Sequence, residues 1–577
     1  MTRSDLITHL SGLHQRVATL EERPQLASVS GVVTTSLSMI KYFDTALTPF
    51  TMVTTKSFQV IPNPGNREPI LCEVESGSFG NSVGLRNQGM TLALAELEKL
   101  RSEHTMRTLL NISISGSTIE DFVTLAKAFE PVADILELNF SCPHAAEGYG
   151  SAIGSSGEIA AAYVRAIREA LGNSGPLIFP KLTPNVDDIG SIAQAVMAGG
   201  ADGLVAINTV GPEVHIEPIS GSPILQNPLG GAGGKSGLWI YDDALEAVKA
   251  IRQAVGPEVP LIGMGGISSG KDVAEMVLAG ADFVGVGSAF AKVHQRNWLA
   301  YSEALVNDAI AVLNGEERNT SAKYYSLEPS MEYKEHKIIK RQEFGSDTLV
   351  VTLNGEWPYE AGEYVFLWIP GVGEKPFSIA IDSPLTFVIK LKGEFTKALF
   401  DLKVGDSLFI RGLYGEPFEV KSHPKAILVA GGSGIAVVPA LAKRLVAEGV
   451  TLQTFVGISN EEDRDVLREE IVKYGPLNVV SDQGVVGRVL NDVLDSALKE
   501  GCSYYFIGPT PFMGRGAEGL VKEGVDPDNI FLSLELTTLC GVGLCGQCAC
   551  GEKLTCQYGT FVSYRFVLDN EPELLDD

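Results

Sequence analysis

The sequence predicts a multidomain protein of α/β and β class: a parallel (β/α)8 barrel, a small antiparallel β-barrel, and an α/β lobe closed by a cysteine-rich segment. Three observations carry this. Up to about residue 310, short β-rich runs alternate with amphipathic helical stretches. From 333 to about 420 the rhythm becomes period-two strands with glycine at the turns. From 425 a strand, a glycine-rich turn and a helix reopen the α/β pattern, and four cysteines then gather between Cys540 and Cys550.

In the first part LLNISIS (109–115) reads as a strand and IEDFVTLAKAFEPV (119–132) as the helix after it. ILELNFS (135–141), LIFPKLTP (177–184) and GLVAIN (203–208) are further strands, with the helix GSIAQAVMAGGA (190–201) between the last two. LIGMGGI (261–267), the helix KDVAEMVLAGA (271–281) and FVGVGSAF (283–290) finish the series. So many βα units before the composition changes favour a closed barrel; an open doubly wound sheet is the alternative. Residues 315–332 are polar and unpatterned and read as a linker, which bounds a first domain at 1–314. DTLVVTLNG, EYVFLWIPG, LTFVIKLKG and DSLFIRGLYG predict an antiparallel barrel over 333–424. An α/β lobe follows over 425–532, then a cysteine-rich module with an acidic tail over 533–577.

The 577 residues carry 45 Lys plus Arg against 71 Asp plus Glu, a net charge of -26. Such a surface repels nucleic acid and anionic lipid, so neither is an expected partner. No run of about 18 apolar residues spans a membrane. The N-terminus lacks the apolar core and small-residue site of a secretion signal, so the expected location is the cytoplasm.

In a reducing compartment a cysteine cluster points to metal ligation rather than disulfides. Cys540-x4-Cys545-x2-Cys548 has plant-type [2Fe-2S] spacing, and its glycines let backbone N–H groups approach the sulfides. Cys556 is taken as the fourth ligand, with Cys550 as the alternative. A structural zinc site usually uses paired C-x2-C knuckles, and only one is present.

Lys375-Pro376-Phe377-Ser378 resembles the R-x-[YF]-S motif of the ferredoxin-reductase family, with lysine in place of arginine. The resemblance implies a flavin contact for Ser378 and a phosphate contact for Lys375. Gly393 to Thr396 resembles that family's G-x-x-[ST] segment under the FAD pyrophosphate. Gly431-Gly432-Ser433-Gly434 is a strand-to-helix turn suited to a nicotinamide nucleotide, though such a turn is generic as often as not. Gly508-Pro509 opens a segment resembling C-G-P-x-x-M, with Ile507 replacing the cysteine.

In this order, residues 333–565 resemble the electron-transfer subunit of the NAD-linked, class 1B dihydroorotate dehydrogenases. Residues 28–310 resemble the catalytic subunit of the same enzymes, on TTKS (54–57), NSVGLRN (81–87), LNFSCP (138–143), KLTPN (181–185), Asn208-Thr209, GGKSG (233–237), GMGGI (263–267) and VGVGSAF (284–290). The chain thus looks like both subunits fused: an FMN-binding TIM barrel, then a ferredoxin-reductase-like module of FAD barrel and NAD lobe, then a plant-type [2Fe-2S] module.

The resemblance implies Cys142 as the base that takes a proton from substrate; a thiol is tunable towards neutrality. It places Lys56 and Lys181 where negative charge develops on the flavin, and Asn81, Asn139, Asn208 and Thr209 on the edges of the substrate ring. Backbone N–H groups at Val83, Gly84 and Leu85 would receive a carboxylate. FMN would be held by Thr55, Lys56, Asn111, Lys181, Gly237, Gly265, Gly266, Gly287 and Ser288. A barrel dimer is implied as well. One departure stands out: the class usually reads S-C-P-N, and this chain has His144 after Pro143. SCPH resembles the dihydropyrimidine dehydrogenases, whose substrates have no carboxylate, whereas NSVGLRN argues for an acid. An electron-transfer module serving a redox partner is a third reading.

Overall fold

The computed structural model describes residues 2–140, 151–420, 423–482, 488–497 and 501–575. The chain divides into two compact units: Met1–Ser330 with Val542–Gln547, and Met331–Gly541 with Cys548–Asp577.

In the first unit, eight parallel strands close a barrel. They are β1 (Gln25–Ser28), β2 (Phe50–Thr54), β3 (Leu109–Ile114), β4 (Ile135–Asn139), β5 (Leu177–Leu182), β6 (Leu204–Ala206), β7 (Leu261–Met264) and β8 (Phe283–Val286). They run in sequence order, β8 returning to β1 with Gln25 opposite Phe283. This settles the choice between closed barrel and open sheet. Every residue of β4 and β5 is buried, as expected for strands covered on both faces. The helix Ile119–Phe129 begins where Thr118 accepts from the Asp121 N–H and Asp121 answers to the Thr118 N–H, a reciprocal cap. It buries Phe122, Leu125, Ala126 and Phe129, its 3.6-residue stripe.

The floor of the barrel repeats one device. Asp134, Asp202 and Asp282 stand just before β4, β6 and β8, and each accepts from the backbone at the start of the preceding strand: Leu110, Ile178 and Leu261, at 2.8, 2.9 and 2.8 Å. Each also pairs with an arginine from the helix before that strand, Arg101, Arg168 and Arg252. The N-terminal face of such a barrel serves stability.

A four-stranded antiparallel sheet joins this unit, in the order Leu71–Glu75, Ser78–Asn81, Ala232–Gly237, Val210–Val214. It was not foreseen. Asn81 and Gly237 therefore lie on this sheet and not on loops that follow barrel strands. Residues 318–330 of the presumed linker are tied to the same unit: Ser321 N–H donates to Asp308, and the Ser330 hydroxyl to Glu73 at 2.8 Å. Glu73 is ion-paired at 2.7 Å to Lys292, both side chains being buried.

In the second unit seven antiparallel strands form one sheet: β9 (Lys334–Phe344), β10 (Thr348–Leu353), β11 (Tyr364–Ile369), β12 (Gly373–Phe377), β13 (Ile381–Asp382), β14 (Leu385–Lys390) and β15 (Ser407–Tyr414). The order is β12-β11-β15-β9-β10-β14-β13. The expected small barrel is thus corrected to a sheet whose edge strands, among the described residues, do not pair with each other. β13 is two residues long and spends its ladder on β14.

The α/β part is a six-stranded sheet of β16 (Lys425–Gly431), β17 (Thr451–Ile458), β18 (Leu477–Ser481), β19 (Cys502–Ile507), β20 (Ile530–Ser533) and β21 (Phe561–Ser563). Its order is β18-β17-β16-β19-β20-β21, parallel except for β21. The C-terminal segment therefore completes this sheet with its own edge strand. Among the described residues no helix is long and apolar enough to cross a membrane.

Candidate functional site

At the C-terminal ends of the barrel strands the polar side chains join one buried network. Ser57, just after β2, meets Ser113 of β3 at 2.9 Å and Ser30 at 3.1 Å. It also accepts from Asn139 Nδ2 at 3.0 Å. Asn208 Nδ2 donates to Asn139 Oδ1 at 3.3 Å, and the Thr209 N–H to Asn208 Oδ1 at 2.9 Å. Asn111 Nδ2 donates to Thr54 at 3.2 Å, while its Oδ1 is buried without a hydrogen-bond partner. Thr55 Oγ1 accepts from the Ser113 N–H at 3.1 Å.

Beneath them lies Glu137, fully buried on β4. It accepts from the Ser113 hydroxyl at 3.0 Å and stands 3.8 Å from Lys181 Nζ of β5, itself 5% exposed. A buried carboxylate needs such a partner. The motif reading missed Glu137, although a carboxylate within the wholly buried run ILELN was a visible signal. Lys56 is half-buried, and its Nζ lies 3.5 Å from where a Cβ on Gly31 would stand.

Gly265 and Gly266 follow β7, and Gly287 and Ser288 follow β8. They stand where the strand ladder ends, Met264 pairing with Gly285 and Val286 with Ser28. Gly266 has φ +71 and leaves no room for a side chain, a Cβ there coming 2.7 Å from that of Tyr241. Gly237 has a packing reason to be glycine, since its Cβ would lie 2.1 Å from the Gly77 carbonyl oxygen.

A second polar group gathers on the small sheet. Asn81 Nδ2 donates to the Gly234 carbonyl and to Ser236 Oγ, both at 3.1 Å. Asn66 and Asn227 donate to Ser82 Oγ at 2.9 and 2.7 Å, two contacts that the motifs did not announce. The chain then turns through Gly84 (φ +72) and Leu85 (φ 55). Two left-handed residues in a row, one of them leucine, are a strained arrangement that survives only under external constraint. Among the described residues no acceptor meets the N–H groups of Val83, Gly84 or Leu85. Consecutive unmet N–H groups form a concavity suited to an anion. Cys142 and His144 lie outside the described residues.

In the second unit Lys375, Pro376 and Phe377 are on β12 and Ser378 follows it. Thr396 caps the helix Glu394–Asp401, accepting from the Lys392 and Gly393 N–H groups at 2.9 and 3.0 Å. Gly434 is forced by close approach, its Cβ falling 2.4 Å from the Ile507 carbonyl oxygen. Gly508 crosses Gly431, and Pro509 opens the helix Thr510–Lys522. Gly432, Ile435, Gly457, Ser459 and Pro509 line a cavity of about 280 Å³, with Thr348, Lys390 and Asp463 on its other wall. There Lys390 is held by Asp463 at 2.6 Å and Asp347 at 3.2 Å.

Cys540 and Cys548 lie close enough to the Cys556 thiol to push it well above its ordinary range. Cys545 lies on the short segment grouped with the first unit, where its carbonyl accepts from Thr35 Oγ1 at 3.2 Å. Among the described residues no three His, Cys, Asp or Glu side chains converge on a single metal ion; a binuclear cluster asks for a wider cage of four thiolates.

Residues 13–299 match the family described as dihydroorotate dehydrogenase. The chain is 43% identical over 242 residues to the catalytic subunit of dihydroorotate dehydrogenase B (NAD(+)) of Methanocaldococcus jannaschii, covering 41% of this chain and 74% of that one. It is 38% identical over 251 residues to the corresponding subunit of Pyrococcus horikoshii, covering 44% and 77%. It is also 42% identical over 239 residues to the fumarate-linked dihydroorotate dehydrogenase A of Lacticaseibacillus paracasei, covering 41% and 78%.

Proposed function

Because the chain belongs to the dihydroorotate dehydrogenase family, we propose that it oxidises dihydroorotate to orotate in pyrimidine biosynthesis, and that residues 333–577 form a fused electron-transfer half delivering the electrons to NAD+. The observation that carries this reading is the buried network of Ser57, Asn111, Asn139, Asn208, Glu137 and Lys181, built inside the matched stretch at the catalytic end of the barrel. When bound, FMN would take up the electron pair, the [2Fe-2S] cluster pass it on singly, and FAD pair it again for NAD+.

The residues suit these groups. The turns at Gly265, Gly266, Gly287 and Ser288, just after the last two barrel strands, suit a phosphate. The orphan Asn111 Oδ1 suits the polar edge of a flavin ring. The cavity beside Gly432 suits a dinucleotide, and the contact of Cys556 with Cys540 and Cys548 favours Cys556 over Cys550 as the fourth cluster ligand.

The chain's own part in the reaction is to hold and deprotonate the substrate. The N–H groups at Val83, Gly84 and Leu85 receive its carboxylate, while Asn81, Asn139, Asn208 and Thr209 fix its ring. Cys142 takes the proton from C5. Lys56 and Lys181 offset the negative charge that develops on the flavin. His144 replaces the usual asparagine after S-C-P and keeps a second reading open, a dihydropyrimidine dehydrogenase; the carboxylate-shaped turn at Gly84 and Leu85 favours the acid.

Anaerobic titration with dihydroorotate and then dihydrouracil, following flavin and cluster absorbance, tests this. Bleaching by dihydroorotate alone is the expected result. Bleaching by dihydrouracil alone overturns it in favour of pyrimidine breakdown. Bleaching by NADH but by neither substrate leaves the barrel without this chemistry.

A further inference from the structure

Tyr364 opens β11 and is 5% exposed, and its hydroxyl is buried without a hydrogen-bond partner. A phenol removed from water normally finds an acceptor. Its neighbours have theirs: Tyr333 donates to Glu374 Oε2 at 2.6 Å, and Tyr414 accepts from Arg411 NH1 at 2.7 Å.

The surroundings say what is missing. Tyr364 stands opposite Tyr414 of β15, their ring centroids 5.9 Å apart. The same end of β15 grips two cysteines by their backbones. Arg411, itself fully buried, donates to the Cys540 carbonyl at 2.9 Å, and the Gly415 N–H to the Cys556 carbonyl at 2.9 Å. The thiols of Cys556, Cys548 and Cys540 are all close enough to act on the Tyr364 phenol. A phenol is a donor at neutral pH, and among the described residues this one has no acceptor, at the sheet end that holds these cysteines.

We propose that Tyr364 is a positioning residue for the iron–sulfur cluster, its hydroxyl donating a hydrogen bond to a cluster sulfur and thereby raising the reduction potential of the cluster. This rests on the [2Fe-2S] reading of the cysteine segment. The sign follows from charge: reduction adds one negative charge, and a fixed donor stabilises the more negative state more. Removing it lowers the potential.

The test uses the full chain with its cluster loaded. Iron and acid-labile sulfide in the unaltered protein come first; their absence overturns the cluster reading and the proposal with it. With the cluster present, EPR-monitored redox titration of Tyr364→Phe is expected to show a midpoint lowered by about tenfold in the one-electron equilibrium constant, roughly 59 mV, with iron content unchanged. Tyr505→Phe, which removes another buried phenol of the same unit, is expected to leave it unmoved. An unchanged midpoint in Tyr364→Phe overturns the proposal while leaving the cluster reading intact. Should that variant lose its cluster, 3-fluorotyrosine placed at position 364 decides: a more acidic donor is expected to raise the midpoint, and an unmoved midpoint overturns the proposal.

Discussion

Lys181 and Glu137 carry opposite charges into the barrel, and the energy of each depends on the other. Breaking a buried pair from one side typically costs about 3–5 kcal/mol, because the remaining charge is left without compensation. Lys181→Met should therefore destabilise the barrel by roughly that amount, whereas Lys181→Met with Glu137→Gln should cost less than the single change, as equilibrium urea unfolding would show. Cys142→Ala should retain FMN and slow flavin reduction by substrate by roughly 10²–10⁴-fold; an unchanged single-turnover rate would remove it as the base. At this scale Asn139, Asn208 and Lys181 were legible only through the resemblance of the collected motifs to a known family, because an isolated asparagine is usually a turn former. The motifs did not name Glu137, although a lone carboxylate in the apolar run ILELN was the signal for it. Nor did they show that Thr396 serves as a local helix cap, since a cap and a phosphate contact call for the same hydroxyl.

The three Arg–Asp pairs on the barrel floor differ in burial, so their removal should differ in cost. Arg252 and Asp282 are 11% and 0% exposed, Arg101 and Asp134 29% and 32%. Arg252→Ala strips a fully buried carboxylate of its cation and should cost about 3–5 kcal/mol. Arg101→Ala leaves a partly hydrated one and should cost about 1 kcal/mol or less. Thermal unfolding of the two variants, ranked in the opposite order, would sink the idea that burial sets the cost. The repeat itself is legible in retrospect, because PVADILEL, GGADGLVA and LAGADFVG all place aspartate just before an apolar run. Barrel strands were readable because apolar runs between helices have few alternatives. The four-stranded sheet was not: VGPEV and AGGKSG are rich in glycine and proline, which weaken strand preference until long-range pairing supplies it. The same non-local pairing decides whether seven antiparallel strands close into a barrel, and alternation within each strand carries no information about it.

Across the whole chain the acid stability should follow a few carboxylates and not the net charge of -26. Burial alone would raise Asp44, but bonds from His104 at 2.7 Å and from the Thr108 N–H and hydroxyl outweigh it and hold the carboxyl below its ordinary value. Glu73 is likewise opposed by burial and carried below its usual range by Lys292, Ser330 and Gly77. A group whose pKa is depressed on folding contributes stability that is present above its unfolded value, about 4 for these side chains, and lost as pH falls through the folded value. The barrel unit should therefore keep its melting temperature from pH 7 to about 5 and lose it steeply below about 4. Asp44→Asn should melt lower at pH 7 and show a flatter acid limb, because part of the proton uptake on unfolding is gone. His104 sharpens the test: it pairs with Asp44, so His104→Ala should also flatten that limb, whereas a change to a fully exposed carboxylate such as Glu317 should leave it as it was. Equal acid limbs in all three proteins would assign acid unfolding to general charge repulsion instead of to these buried sites.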